Sequence, residues 1–275
     1  MTQITTSTAD YPWRPDTTYF PASDVVPTAL IMQTSTVAGS VDGDQPAVRV
    51  AFVDDAESAA YVAEGSAITE DDPGLDEIEV RTKKIARLIN LSSEQYRQPN
   101  TATQLAESVA RDIVRKADNS YIADSGGPVG LTNVPGVVNG GALGDDLDTL
   151  VDLIADIENN GGTPSHIIVN PLAWGALKKL KTATGENQSL VGAGVTDAVP
   201  MLLSLPVLKS RFIPAGTGLV VDKTAIISAV GPVNIATSEH ALFASDGVQL
   251  RATWRIGWGV TRPDRIGKFT VDIGS

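Results

Sequence analysis

The sequence predicts an α+β fold, on three observations. Residues 101–124 repeat apolar side chains at four-residue steps, and residues 145–162 carry a second amphipathic stripe. Residues 248–260, "VQLRATWRIGWGV", alternate well, with Val248, Leu250, Ala252, Trp254 and Ile256 facing one way and Gln249, Arg251, Thr253 and Arg255 the other. A long acidic stretch between Asp42 and Glu79 separates these packed elements from the N-terminus.

Residues 1–35 are Thr-rich and punctuated by Pro12, Pro15, Pro21 and Pro27. Each proline biases its predecessor to extended geometry, so an extended N-terminal arm is expected, with a short helical turn near 23–32. Trp13, Tyr19, Phe20, Val25, Val26, Leu30 and Ile31 require a surface to lie on.

Residues 36–83 hold the acidic stretch. Between Asp42 and Glu79 stand twelve Asp or Glu and one basic residue, Arg49. "AVRVAF" (47–52) alternates and predicts a strand. "DEIEVRTKKIARLINLS" (76–92) predicts a second, with Ile78, Val80, Thr82 and Lys84 on one side and a more apolar end at Ile85, Leu88, Ile89 and Leu91. An isolated two-stranded ribbon is marginal in water, so this one requires a partner surface. The sign of charge then flips in "RTKKIAR", which carries Arg81, Lys83, Lys84 and Arg87.

The helix predicted over 101–124 places Leu105, Val109, Ile113, Ala117 and Tyr121 on its buried stripe. Arg111, Arg115 and Lys116 lie off it. "DSGGPVGLTNVPG" ends this helix with glycine and proline. The helix predicted over 145–162 has the stripe Leu147, Leu150, Val151, Ile154 and Ile157, and Gly161–Gly162 ends it. "SHIIVNPLAWGALKKLK" (165–181) reads as a buried strand, then Asn170 as N-cap with Pro171 at the first helical position. Residues 202–230 read as short strands joined by proline and glycine turns.

Composition narrows the function. Of 275 residues, 42% are hydrophobic and 20% charged, which suffices for a core. There is no cysteine, which excludes disulfides and thiolate metal sites. No apolar run approaches the roughly 20 residues of a membrane helix, and "MTQITTSTADYPW" has neither the basic nor the apolar part of a secretion signal. The net charge of −12 disfavours a protein that grips phosphates with Lys and Arg. The sequence contains no G-x-S-x-G elbow and no phosphate loop. His166 and His240 stand far apart without ligand spacing, "DGDQPA" lacks the EF-hand pattern, and "GGALGDD" reads as a plain turn. No catalytic residue, metal site or cofactor is expected.

Four short motifs follow one another along the chain: "AEG" (63–65) before the second ribbon strand, "NP-x-x-W" (170–174) after a buried strand, "LPV" (205–207), and Arg255 spaced by six residues from Arg262–Pro263. With the order of elements, this resembles the major capsid proteins of tailed bacteriophages with the Hong Kong 97 fold. The resemblance covers nearly all of the chain from about residue 36. It implies an N-terminal arm at 1–35 and an extended loop at 36–83 that reaches over a neighbouring subunit. It also implies a peripheral domain at 84–134 and 236–275, with 101–124 as its spine helix, and an axial domain at 135–235.

The function so implied is a shell of hexamers and pentamers enclosing double-stranded DNA, assembled in a host cytoplasm and resident in the virion. Portal, scaffolding and decoration proteins are the implied partners. An encapsulin-like compartment shell is the alternative, and a small hydrolase the lesser one. The acidic loop, with Asp54, Asp55, Glu57, Glu64, Glu70, Asp71 and Asp72, would dock on a basic surface of its neighbour. Either Arg81, Lys83, Lys84 and Arg87, or Arg111, Arg115 and Lys116, would supply that surface. Some members of this family join subunits by a Lys–Asn isopeptide bond. Here the chain has no lysine before Lys83, and the three positions of that chemistry fall at Gly65–Ser66, Asp246 and Thr253, so a non-covalent shell is expected.

Overall fold

The computed structural model describes residues 17–20, 22, 26–41, 45–54, 61–66, 74–98, 101–181, 190–191 and 200–274. Its first sheet has seven strands and is built on the alternating segment recognised in the sequence, strand β12 (Gly247–Val260). On one side β12 pairs with β11 (Val233–Leu242) and β10 (Ile226–Val230). On the other it pairs with β4 (Gly74–Ser92). The edges are β1 (Thr17–Phe20) on β11 and β2 (Thr36–Ser40) on β10, and β3 (Ala47–Asp54) pairs with the first part of β4. A short helix α2 (Ser93–Tyr96) follows β4, capped by the Ser92 side chain, which accepts from Gln95 N–H.

The inward row of β12 is the predicted one: Val248, Leu250, Ala252, Trp254 and Ile256 are all buried. They face helix α3 (Thr101–Ala123), whose Val109, Ile113, Ala117 and Tyr121 are buried and whose Leu105 is partly so. Burying each large side chain here is worth roughly 1.5–3 kcal/mol. The Tyr121 and Trp258 rings meet edge to face, 5.4 Å apart. Trp254 and Trp258 donate their indole N–H groups to Gly231 O (2.9 Å) and Val129 O (2.7 Å), so neither polar tip is stranded in the core.

Part of the segment expected as an arm is core. Val26, Ala29, Leu30 and Ile31 are buried in the same cluster. The short helical turn expected near 23–32 is α1, at Leu30–Thr34. It is tied to α3 at both ends: Leu30 N–H donates to Asp118 Oδ1 (2.8 Å), and the Thr34 and Tyr121 hydroxyls lie 3.1 Å apart.

The second sheet has six strands, in the order β5 (Val138–Leu143), β13 (Ile266–Val271), β9 (Thr217–Val221), β6 (His166–Val169), β8 (Leu205–Lys209) and β7 (Met201–Leu202). Strand β9 is buried along its whole length, which requires cover on both faces. Leu219 and Val221, with Ile168 and Ile266, join the core shared with α3. Val220, with Ile167, Val169 and Phe269, joins a second core under α4 (Asp148–Asn159) and α5 (Pro171–Leu177). Asn170 caps α5 as predicted, its side chain accepting from Leu172 N–H at 2.9 Å.

Three expectations need correction. On α4 the buried stripe is Leu150, Leu153 and Ile157, while Val151 is 47% exposed, because the second core lies against the Leu153 side of the helix; helical periodicity alone fits either stripe. On β4, Leu88 is 57% exposed: strand alternation sends Ile85 and Ile89 toward α3 and Leu88 to the other face. Sheet membership also does not follow the division expected at 235/236. β10 and the start of β11 belong to the first sheet, and β13 returns to the second. Strand pairing, which the order of segments does not reveal, decides this.

Candidate assembly surfaces

β4 is a 19-residue strand with two partners. It pairs with β3 from Gly74 to Arg81 and with β12 from Thr82 to Ser92. Its buried side chains change parity at the junction: Val80 is buried in the ribbon, Ile85 in the sheet. The ribbon base has its own small core, where Val80 and Val50 pack on Val41, Ile227 and Ala229. Two glycines of β12 admit it. A Cβ on Gly257 would lie 2.5 Å from Arg81 O, and one on Gly259 would lie 2.6 Å from Ile78 Cδ1. Arg255 Nη1 donates to Thr82 Oγ1 (3.0 Å), and Thr82 Oγ1 donates to Gln45 O (2.5 Å), clamping the base.

Of the acidic candidates, Glu64 is exposed in the turn 61–66, where Ser66 N–H donates to Ala63 O at 3.0 Å and Gly65 has φ +81°. Asp54 ends β3 opposite Gly74. Asp55, Glu57, Glu70, Asp71 and Asp72 lie outside the described residues.

The basic candidates have partners within their own chain. Arg81 lies 3.5 Å from Glu79, Lys83 2.8 Å from Asp124, Arg115 2.7 Å from Asp112 and Arg111 3.5 Å from Glu107. Arg87 also meets Asp112. Lys84 is exposed and engaged as well. The hydrogen bond from Lys83 holds Asp124 below the usual carboxylate range. The Arg81 and Arg111 side chains are 75% and 70% exposed, where a pair contributes about 0–1 kcal/mol. Arginine carries five donors, so these groups retain capacity for a second carboxylate.

Two hollows flank α3. One, of about 520 Å³, lies between the helix, Pro27–Thr28 and Arg211–Phe212. The other, of about 540 Å³, lies between the helix and β4. Together they are lined by Arg87, Arg111, Arg115, Lys116 and Arg211 against three carboxylates, on a chain of net charge −12. One carboxylate is Asp118, whose burial raises its pKa to about 6 although Leu30 N–H opposes the rise.

Sequence reasoning missed the carboxylate partners on α3. The spacings Glu107/Arg111 and Asp112/Arg115 are the helical i,i+4 and i,i+3 steps that would have revealed two of them. Asp118 stands four residues after Val114 and four before Ile122, an apolar helical row that was a signal of its burial.

Elsewhere, His166 Nδ1 lies 3.1 Å from Ser165 Oγ, and burial lowers its pKa. His240 is exposed on β11. Among the described residues no group of His, Asp and Glu could hold a metal ion, and no helix is long and apolar enough to cross a membrane. Gly65–Ser66 form part of an exposed turn. Asp246 follows β11 with φ 44° and accepts from Ser93 Oγ at 2.9 Å, and Thr253 sits in mid-β12 opposite Ala86.

The family model described as phage capsid family matches residues 24–271. No curated protein matches the chain. Among solved structures, it is similar to the capsid of an empty GTA particle at TM-score 0.69 and 19% identity, covering 98% of this chain and 95% of that one. It is similar to a chain from Microbacterium phage Oxtober96 at TM-score 0.68 and 13% identity, over 98% and 100%. A chain from Gordonia phage Cozz matches at TM-score 0.64 and 16% identity, over 94% and 89%.

Proposed function

The chain belongs to the phage capsid family, a major capsid protein of the head shell, and we propose that its copies close as hexamers and pentamers into an icosahedral shell around double-stranded DNA. The observation that carries this is the family match across residues 24–271, on a chain with the Hong Kong 97-like fold. Its role is structural.

In this reading the first sheet and α3 form the peripheral domain and the second sheet, with α4 and α5, the axial one. The acidic loop, with Asp54, Asp55, Glu57, Glu64, Glu70, Asp71 and Asp72, reaches a neighbour's α3. There Arg111 and Arg115, each partly exposed beside a hollow, receive its carboxylates. Arg81 and Lys84 at the ribbon base form a second contact, and Lys83 holds the base to Asp124. Self-repulsion along the loop is relieved by these cations on assembly. The excess of negative charge keeps packed DNA from adhering to the wall. Portal and scaffolding proteins, and a decoration protein, complete the head in the host cytoplasm.

Negative-stain microscopy of the expressed chain tests the reading. Closed shells are expected. A monodisperse monomer at assembly concentrations would overturn it. Enzyme cargo rather than nucleic acid in particles from producing cells would make the shell a compartment instead.

A further inference from the structure

β4 leaves the first sheet at one junction. Its pairing with β12 ends at Thr82 opposite Gly257, and its pairing with β3 begins at Arg81 opposite Ala47. Strand continuity holds the ribbon within the plane of the sheet but only weakly against tilting out of it, because two strands have no third to stiffen them. Two contacts oppose that tilt, on opposite faces. Thr82 shares a face with Gly257 and, two residues along β12, with Arg255. Arg255 Nη1 donates there to Thr82 Oγ1 (3.0 Å) and to Gln45 O (3.4 Å), and so reaches both segments of the ribbon base. Lys83, the next residue, points the other way with its register partner Ile256, which is buried in the core shared with α3. On that face Lys83 Nζ meets Asp124 Oδ2 at 2.8 Å, just past the end of α3. The two side chains are 43% and 32% exposed.

We propose that Arg255 with Thr82, and Lys83 with Asp124, are positioning contacts that set the direction in which the ribbon leaves the subunit, and so where the acidic loop lands on the next copy. The ribbon acts as a lever. From Arg81 to Gly74 it has eight paired residues, about 25 Å at strand rise. A tilt of about 10° at the base therefore moves its far end by about 4 Å, and the loop beyond it further. A carboxylate and a guanidinium pair only within about 4 Å, so such a tilt is enough to lose the contact. The small core of Val80, Val50 and Val41 lies on the Arg255 face and resists tilting away from that face. Lys83 and Asp124 hold the opposite face, so the two contacts together resist tilt in both senses. The role rests on the shell reading, which supplies the neighbouring copy.

The chain has no cysteine, so spin labels on Ala51→Cys, exposed on β3, and Ala106→Cys, exposed on α3, report the ribbon's direction. Double electron–electron resonance on dissociated subunits should give one narrow distance in the parent. Thr82→Val keeps the branched shape and removes the hydroxyl; Asp124→Asn keeps the shape and removes the charge. Each should shift or broaden the distance, and the two together should do so by about 4 Å or more, with the urea midpoint unchanged. Thr82→Ser, which restores the hydroxyl, should return the parent distance. In assembly reactions without labels, the double variant should lose closed shells and Thr82→Ser should keep them. An unchanged distance in the double variant would overturn the proposal. So would a broadened distance with shells at the parent's yield, or a Thr82→Ser variant that behaves like Thr82→Val. A parent chain that forms no shells would count against the shell reading, while the distances would still decide what holds the ribbon.

Discussion

Asp118→Asn should make the dissociated subunit more stable near neutral pH. Asp118 stands on α3, lines the hollow with Arg111, Arg115 and Arg211, and accepts from Leu30 N–H at 2.8 Å. Its carboxyl titrates near 6 in the folded chain against an ordinary value of 3.8, because burial penalises the charge. Between these values the folded chain holds a proton that the unfolded chain has released. Stability therefore falls as pH rises from about 4 to about 6, and stays lower above it. A difference of about 2 units corresponds to about 3 kcal/mol, an upper bound since the site opens to a hollow. Asparagine keeps the acceptor for Leu30 N–H and removes the charge. Urea unfolding at pH 4, 5, 6 and 7.5 should show parent and variant equal within about 1 kcal/mol at pH 4 and the variant ahead by up to about 3 kcal/mol at pH 7.5. Asp118→Ala, which leaves Leu30 N–H without its partner, should fall about 1 kcal/mol below Asp118→Asn at every pH. A parent–variant difference that does not change with pH, or an asparagine variant that is weaker at pH 7.5, would refute the reasoning.

Gly218→Ala should lower the melting temperature or abolish soluble expression, because its Cβ would lie 2.2 Å from Phe269 Cζ in a closed core; the overpacking costs about 1–3 kcal/mol or more. Phe269→Leu in the same chain should recover part of the loss, and no recovery would place the clash elsewhere. Arg111→Glu should reduce particle yield in 0.1 M salt while changing the urea midpoint little, since it replaces an exposed pair with Glu107. Lys179→Glu, on an exposed residue after α5, is the control, and equal yields would remove Arg111 from the contact. Boiled mature particles should run as one band near 28.8 kDa; a ladder of multimers would mean that the shell is covalently joined.

The elements with the strongest periodicity were legible in the residues. β12 alternates over its whole inward row, α3 repeats its apolar residues at four-residue steps, and Asn170–Pro171 marks a helix start by local chemistry alone. Each signal lies within one segment and needs no partner. The face of α4 was read less well: Val151 and Leu153 are equally apolar, and only the position of the sheet selects Leu153. The candidate cations were legible as a charge cluster, but their engagement was not. Lys83 meets Asp124 across 41 residues of chain, and Arg87 meets Asp112 across 25.

What the sequence determined by itself, then, is whatever depends on neighbours along the chain: the helix and strand periods, the caps, the acidic arm followed by a basic flip, the absence of thiols, and the motif order of a capsid protein. The tertiary structure decided what depends on neighbours in space. It made Val26, Ala29, Leu30 and Ile31 part of the core and divided β4 between two partners. It also raised the pKa of Asp118 by burying it against α1. Hydrophobic burial and strand pairing reward contacts regardless of sequence distance, so a periodic pattern specifies which face is buried but not which surface buries it.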